Sequence, residues 1–338
     1  MAKIAINGFG RIGRLFFREA LGNPNLEIVA VNDLGNLENL AYLLKYDTVY
    51  GRYDREIKIE KSKIKIDGKE VLVFQEKDPA KLPWGDLGID VAIEATGFFE
   101  SYEQAKAHLD AGAKRVVITA PAKDDDGEIG RTCLVGVNEE VMKLVKITSN
   151  GSCTTNAASP VITVLAEKLG VAKAVLNTTH GYTATQNLVD GPTKGSDLRR
   201  GRAAAQNIVP SSTGSAIAVG RAIKEMDGKF DGIALRVPMV TGSVADITLI
   251  ATRKTSVEEV NQILTQAASE PRWRGILKVT DEPVVSSDII GEPYGAIVDL
   301  NFTRVIDGDL VKVLSWYDNE LGYVSTLMKH VELAAKLV

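Results

Sequence analysis

The chain is poor in the residues that hold metals and cross-links. Its 338 residues include two cysteines, Cys133 and Cys153, and three histidines. Two thiols cannot build a disulfide framework or a cysteine-based zinc site, so no metal site is expected. A free thiol fits a reducing compartment, where it stays available to react. Positive charge is not in excess: 40 Lys and Arg against 44 Asp and Glu give a formal net charge of −4, with no long basic run. A basic face for nucleic acid is therefore not expected, and the expected partners are small molecules. No apolar run is long enough to cross a bilayer, and Met1-Ala2-Lys3 leads into a strand-like run rather than a signal segment. A cytoplasmic location without membrane attachment is the expectation. Internal repeats and low-complexity segments are absent. What remains is a globular composition, 45% hydrophobic and long enough for two domains, along which the order of strand and helix patterns reads as α/β.

One stretch organises the rest. Ser149-Asn150-Gly151-Ser152-Cys153-Thr154-Thr155-Asn156 follows a β-type run, Val145 to Thr148, and precedes an apolar-periodic helix from about Ala157 to Leu169. That spacing sets Cys153 at a helix N-terminus, where unpaired backbone N–H groups and the helix dipole favour thiolate and offer donors to an oxyanion. A cysteine that only fills a core has no need of the Ser and Thr hydroxyls on either side of it.

At the start of the chain, Lys3 to Asn7 reads as a strand, and Gly8-Phe9-Gly10-Arg11-Ile12-Gly13 runs from it into a helix. This G-x-G-x-x-G pattern allows a tight turn, close approach of a pyrophosphate and close helix packing. A second strand, Glu27 to Val31, leads to Asp33, 20 residues beyond Gly13, where a carboxylate meets a ribose diol. A carboxylate there repels a 2′-phosphate, so NAD rather than NADP is expected. Lys63 to Ile66, Asp67-Gly68 and Val71 to Phe74 predict a hairpin inserted in an otherwise parallel sheet. A helix is expected over Ser101 to Ala111, and Leu134 to Val137 with Val145 to Thr148 close the first domain. The acidic run Asp124-Asp125-Asp126 reads as a solvated loop.

Beyond Cys153 the pattern changes. Ala172 to Thr179 is a strand ending at His180, followed by a polar, Gly-rich stretch, 181–206, that carries Thr183, Thr185, Lys194, Arg199, Arg200 and Arg202. Pro210-Ser211-Ser212-Thr213-Gly214 opens another helix and offers a second anion site. Several further strands, linked by turn signals, predict a mixed, largely antiparallel sheet, with a helix from Ser256 begun by a Ser256/Glu259 capping box. His108 and His330 fall in helical patterns and are expected to be structural or at the surface. His180 is the candidate partner for Cys153. Arg236, a charge inside an apolar strand, needs an anionic partner, either Asp246 or a substrate phosphate.

Asn7-Gly8-Phe9-Gly10-Arg11-Ile12-Gly13-Arg14, Ser152-Cys153-Thr154-Thr155-Asn156, His180 with Tyr182-Thr183, Ser212-Thr213-Gly214, Arg236-Val237-Pro238 and Trp316-Tyr317-Asp318-Asn319-Glu320 together resemble the phosphorylating glyceraldehyde-3-phosphate dehydrogenases, in family order and over the full length. The resemblance implies a Rossmann-type NAD-binding domain, 1–150 with the C-terminal helix 317–338. It also implies an α+β catalytic domain, 151–316, that includes the S-loop 181–206. Cys153 would attack the aldehyde, and His180 would activate the thiol. Gly8, Gly10, Arg11, Ile12, Gly13, Asp33, Lys77, Thr119 and Asn319 would hold NAD. Thr183 and Arg236 would hold the substrate phosphate, and Ser152, Thr154, Thr213 and Gly214 the inorganic phosphate, with help from Arg202. Glyceraldehyde 3-phosphate and inorganic phosphate are the implied substrates, and a homotetramer the implied assembly. The chain departs from the common pattern at Ala157, where many members have a second cysteine, at Met239, at Lys77, and around Thr193 to Ser196, where the S-loop is a residue longer.

Overall fold

The structure, a computed structural model, describes residues 1–193 and 195–338; Lys194 of the S-loop lies outside the described residues. The chain divides into two compact units, one made of Met1–Leu134, Glu139–Gly151 and Leu327–Val338, the other of Val135–Asn138 and Ser152–Thr326.

In the first unit, short apolar runs alternating with helices form a nine-stranded sheet. Its order is Gly130–Thr132, Ile147–Ser149, Arg115–Ile118, Val91–Glu94, Ala2–Asn7, Leu26–Asn32, Lys69–Phe74, Lys63–Ile66, Ile57–Glu60. All neighbours are parallel except the last two pairs, which are antiparallel. This is the predicted hairpin insert, and Asp67 (φ 48°) and Gly68 (φ 84°) both take the left-handed conformation that such a tight turn demands. The sheet is wound in both directions from Ala2–Asn7, which pairs with Leu26–Asn32 on one side and Val91–Glu94 on the other. A crevice at the C-terminal ends of these strands is the usual ligand position in such sheets.

One expectation is corrected in this unit and another in the run Leu134 to Val137, of which 135–137 belongs to the second unit. The helix over Ser101 to Ala111 is two short helices, Tyr102–Ala105 and Ala107–Asp110. The run Leu134 to Val137 is not a strand; Gly130–Thr132 takes the edge position instead. Gly136 explains the difference, with a φ of 79° that no strand accepts and no room for a Cβ beyond 3.1 Å from the Trp273 ring. The acidic run is also more than a solvated loop. Asp124 accepts the Tyr102 and Glu103 N–H groups, and Asp126 accepts the Tyr102 hydroxyl and the Thr132 N–H.

The second unit has a seven-stranded sheet in the order Val209–Ser212, Phe230–Val237, Val171–Gly181, Ser243–Ala251, Leu310–Tyr317, Ala296–Ile306, Leu277–Thr280. The second and third strands are parallel, as are the last two, and the other neighbours are antiparallel. The helix Cys153–Leu169 packs on this sheet with 13 of its 17 residues buried, so it is a core helix on nearly every face. The helix Val257–Ser269 starts at Ser256, whose side chain accepts the Glu259 N–H. The predicted box is only half formed, because the Glu259 carboxylate turns to Arg253 and Thr255. Among the described residues no helix is long and apolar enough to cross a membrane.

Candidate active site

The helix that carries Cys153 begins at that residue, four positions before the apolar periodicity becomes visible, because its first turn is polar. Ser152 caps it: the Ser152 hydroxyl accepts the Thr155 N–H at 3.1 Å, and the Thr155 hydroxyl accepts the Ser152 N–H at 3.1 Å. The capping box fixes the chain entry and leaves Cys153, partly exposed, in the first turn.

His180 arrives from the strand Val171–Gly181, with Nε2 3.3 Å from the Cys153 sulfur. The parallel register sets Arg236 directly beside His180. On the far side of the ring, Nδ1 lies 2.6 Å from the Gly181 carbonyl and 2.5 Å from the Arg236 guanidinium, which itself donates to that carbonyl at 3.2 Å. One nitrogen cannot both donate to the carbonyl and accept from the guanidinium. Protonated at Nδ1, the imidazole turns a lone pair to the thiol; unprotonated there, it turns an N–H to the thiolate.

Burial first, and the Arg236 charge second, push His180 down to about 3. Burial pushes the Cys153 thiol up. Arg236 opposes that rise, as do the Thr154 hydroxyl and the N–H groups of Thr154 and Cys153. The neutral thiol and neutral imidazole are thus the resting pair, within one hydrogen bond of exchanging a proton.

Two groups of polar side chains lie near the Cys153, His180 and Arg236 set. In the first, Ser152 lies 2.7 Å from the hydroxyl of Ser215, which accepts from Thr213 at 2.8 Å. Gly214 is the N-cap of the helix Ser215–Ala222 and supplies no capping side chain; the Ser215 N–H donates to the Thr213 hydroxyl at 3.2 Å, and the N–H groups that follow it are the donors left for an anion. Thr154 is placed differently from Ser152. Its hydroxyl is buried against the Tyr317 hydroxyl at 2.8 Å, which also meets Thr178 at 2.7 Å. In the second group, the Thr183 hydroxyl is 3.0 Å from that of Thr185, to which Arg200 donates at 3.2 Å. Arg200 also donates to Ser211 and is close enough to Arg236 to weaken its hold on a proton. Arg202 faces away, exposed and paired with Asp190 at 2.9 Å. Asp246 is paired with Lys312 at 2.5 Å, and among the described residues no carboxylate lies within ion-pair distance of Arg236. Ser215, Arg200 and Tyr317 had no assigned role in the sequence. Only strand register and loop path bring Ser215 to Ser152, Arg200 near Arg236 and Tyr317 to Thr154.

Asn319 is buried, and its Oδ1 accepts the hydroxyls of Ser243 at 2.9 Å and Thr241 at 3.1 Å.

In the first unit, the glycine-rich turn separates its own requirements from those of a ligand. A Cβ on Gly8, whose φ is 97°, would sit 2.6 Å from the Ala95–Thr96 backbone, and one on Gly13 would sit 2.1 Å from the Gly8 carbonyl. Both glycines serve the packing of strand, turn and helix. A Cβ on Gly10 would meet nothing within 4 Å. Gly10 is also the N-cap of the helix Arg11–Ala20, with no side-chain cap bond, so the space and the donors fit a pyrophosphate. Asp33 is set by accepting the Phe9 N–H at 2.7 Å and the Gly35 N–H at 2.8 Å. Arg11 pairs with Asp47, Ile12 is half-buried, Lys77 is exposed, and the Thr119 hydroxyl donates to the Glu94 carbonyl at 3.0 Å.

Beneath the turn lies a network that spacing did not suggest. The Glu94 carboxylate accepts from Asn7 at 2.6 Å, from His108 at 3.0 Å and from the Thr96 N–H at 2.8 Å, while Asn32 donates to Asn7 at 2.7 Å. His108 and His330 are both buried and structural; His330 bonds Thr148 and Asn150.

A doubly wound unit with a glycine-lined, uncapped helix start, on one chain with a cysteine–histidine pair, defines an NAD-dependent dehydrogenase. The comparisons narrow this class. Residues 2–102 match the model of the glyceraldehyde 3-phosphate dehydrogenase NAD binding domain, and residues 152–319 match that of the C-terminal domain. The chain is 49% identical over 340 residues to glyceraldehyde-3-phosphate dehydrogenase of Thermotoga maritima, covering 100% of both chains. It is 47% identical over 335 residues to that of Geobacillus stearothermophilus, covering 98% of this chain and 97% of the relative. With the enzyme of Clostridium acetobutylicum it shares 46% identity over 341 residues, 100% of this chain and 99% of the other. The chain belongs to the glyceraldehyde-3-phosphate dehydrogenase family.

Proposed function

We propose that this chain is a glycolytic enzyme that oxidises glyceraldehyde 3-phosphate with NAD and inorganic phosphate to 1,3-bisphosphoglycerate. The observation that carries this reading is the Cys153–His180 contact of 3.3 Å, with the Arg236 guanidinium and the Ser152, Ser215 and Thr213 hydroxyls beside it. The Cys153 sulfur adds to the aldehyde carbon as His180 takes the thiol proton. The Cys153 N–H and protonated His180 then donate to the new oxyanion. NAD, when bound, supplies the hydride acceptor for the oxidation that leaves a thioester on Cys153. Inorganic phosphate held by Ser152, Thr213 and the Gly214 helix start attacks that thioester, and the sulfur leaves to recover its proton.

Thr183 and Arg236 hold the substrate's own phosphate. Arg200 rather than Arg202 is the third member of that site, since Arg202 is spent on Asp190. Arg11, Ile12, Asp33, Lys77, Thr119 and the turn glycines of the NAD-binding domain serve NAD, and Asn319 is the residue for the nicotinamide amide. A cytoplasmic homotetramer completes the reading. Leu188 (72% exposed) and Leu198 (78% exposed), on the 181–206 loop, support it as apolar surface suited to another copy.

NADH formation from glyceraldehyde 3-phosphate and NAD, with and without inorganic phosphate, tests the reading. Sustained turnover only with phosphate is expected. A single burst in both conditions would remove the phosphate step, and no NADH at all would overturn the assignment.

A further inference from the structure

Ser243, at the start of the strand Ser243–Ala251, is fully buried and lies between two parts of the site. Its hydroxyl accepts the Gly181 N–H at 3.3 Å, and Gly181 is the residue whose carbonyl faces His180 Nδ1 and Arg236. With a lone pair engaged there, the Ser243 proton is directed to Asn319 Oδ1 at 2.9 Å. Thr241 adds a second hydroxyl 3.1 Å from the same oxygen, but it shares its single proton with Asp318, also at 3.1 Å. Ser243 is thus the group that fixes which end of the Asn319 amide accepts. The other end, Nδ2, has no acceptor among the described residues and, unlike the buried unpartnered atoms of the chain, is accessible. An amide with its oxygen doubly held and its donor end open can meet a ligand's acceptor.

We propose that Ser243 is the positioning residue for the nicotinamide carboxamide: it locks Asn319 so that Nδ2 donates, and it ties that amide to the strand end that carries His180. This rests on the assignment of Asn319 to the nicotinamide.

Calorimetric titration of the full chain with NAD and with ADP-ribose, which lacks the nicotinamide ring, tests it. In Ser243→Ala, loss of one orienting hydrogen bond is expected to weaken NAD about three- to tenfold and leave ADP-ribose unchanged. A structural defect would move both ligands together, so equal weakening overturns the proposal. Asn319→Ala separates the two claims. If it weakens NAD alone while Ser243→Ala does not, Asn319 keeps its role and Ser243 loses its own. If Asn319→Ala shows no difference between the two ligands, the assignment of Asn319 fails and the proposal with it.

Discussion

His108 and His180 are both buried, each within hydrogen-bond reach of an ionisable partner, and they behave as opposites. The Trp84 indole, which can only donate, holds His108 Nδ1 at 3.0 Å, so the ring hydrogen sits on Nε2 and points at Glu94. Every polar atom of that ring is satisfied in a single arrangement. At His180 the corresponding nitrogen is contested by a carbonyl and a guanidinium, and the other faces a thiol. The first arrangement fixes one state; the second is compatible with a hydrogen on either nitrogen. A histidine held by unambiguous partners is architecture, whereas one whose partners compete can transfer a proton.

Removing the nucleophile breaks the contrast most sharply. Cys153→Ser should lower NADH formation by about a thousandfold or more, and His180→Asn by about a hundred- to ten-thousandfold. Neither should change the midpoint of urea unfolding by as much as the next substitution does. Glu94→Ala, on the architectural side, strips partners from Asn7, His108 and Thr96 at once. It is expected to cost about 3–5 kcal/mol of stability, read as a fall in that midpoint, with NAD affinity falling as the strand ends loosen. If Glu94→Ala proved harmless to folding while His180→Asn unfolded the chain, the two roles would be reversed.

Acid sharpens the comparison. His180 and His330 are both driven to about 3 by burial. The unfolded chain takes up their protons below about pH 6.5 and the folded chain does not. Stability is therefore retained above that pH and falls as pH drops towards 3, by about 2 kcal/mol per histidine at pH 5. His330→Asn should flatten the pH dependence of the unfolding midpoint between pH 7 and 5, and an unchanged slope would contradict the burial argument. The smallest effects separate two neighbouring arginines. Arg200→Ala should raise KM for glyceraldehyde 3-phosphate about tenfold or more, whereas Arg202→Ala, which breaks an exposed pair with Asp190, should change it less than about twofold.

The legibility of the molecule follows the same divide. The dinucleotide end could be read along the chain because backbone makes it: Gly8 and Gly13 are needed by close packing, Gly10 by the open space above it, and all three lie in one turn. Cys153 was legible for a similar reason, being placed by the helix it opens. Asp33 could be found by counting from Gly13, but not the two N–H groups that aim it.

Arg200 and Arg202 differ by two positions in a loop of one composition. Nothing short of the loop's path distinguishes the one that reaches Thr185 and Ser211 from the one that reaches Asp190. Likewise, residues 56 positions apart, His180 and Arg236, became neighbours through the register of two parallel strands.

The sequence by itself determined the fold class, the glycine-rich turn, the placing of Cys153 at a helix start and the family, since each rests on local geometry or on motifs contiguous in the chain. Only the tertiary structure decided which nitrogen of His180 faces the sulfur, which arginine joins Arg236, and which hydroxyl holds Asn319. These depend on hydrogen-bond partners from separate strands, and a distance of one or two ångströms in register is invisible in the order of residues.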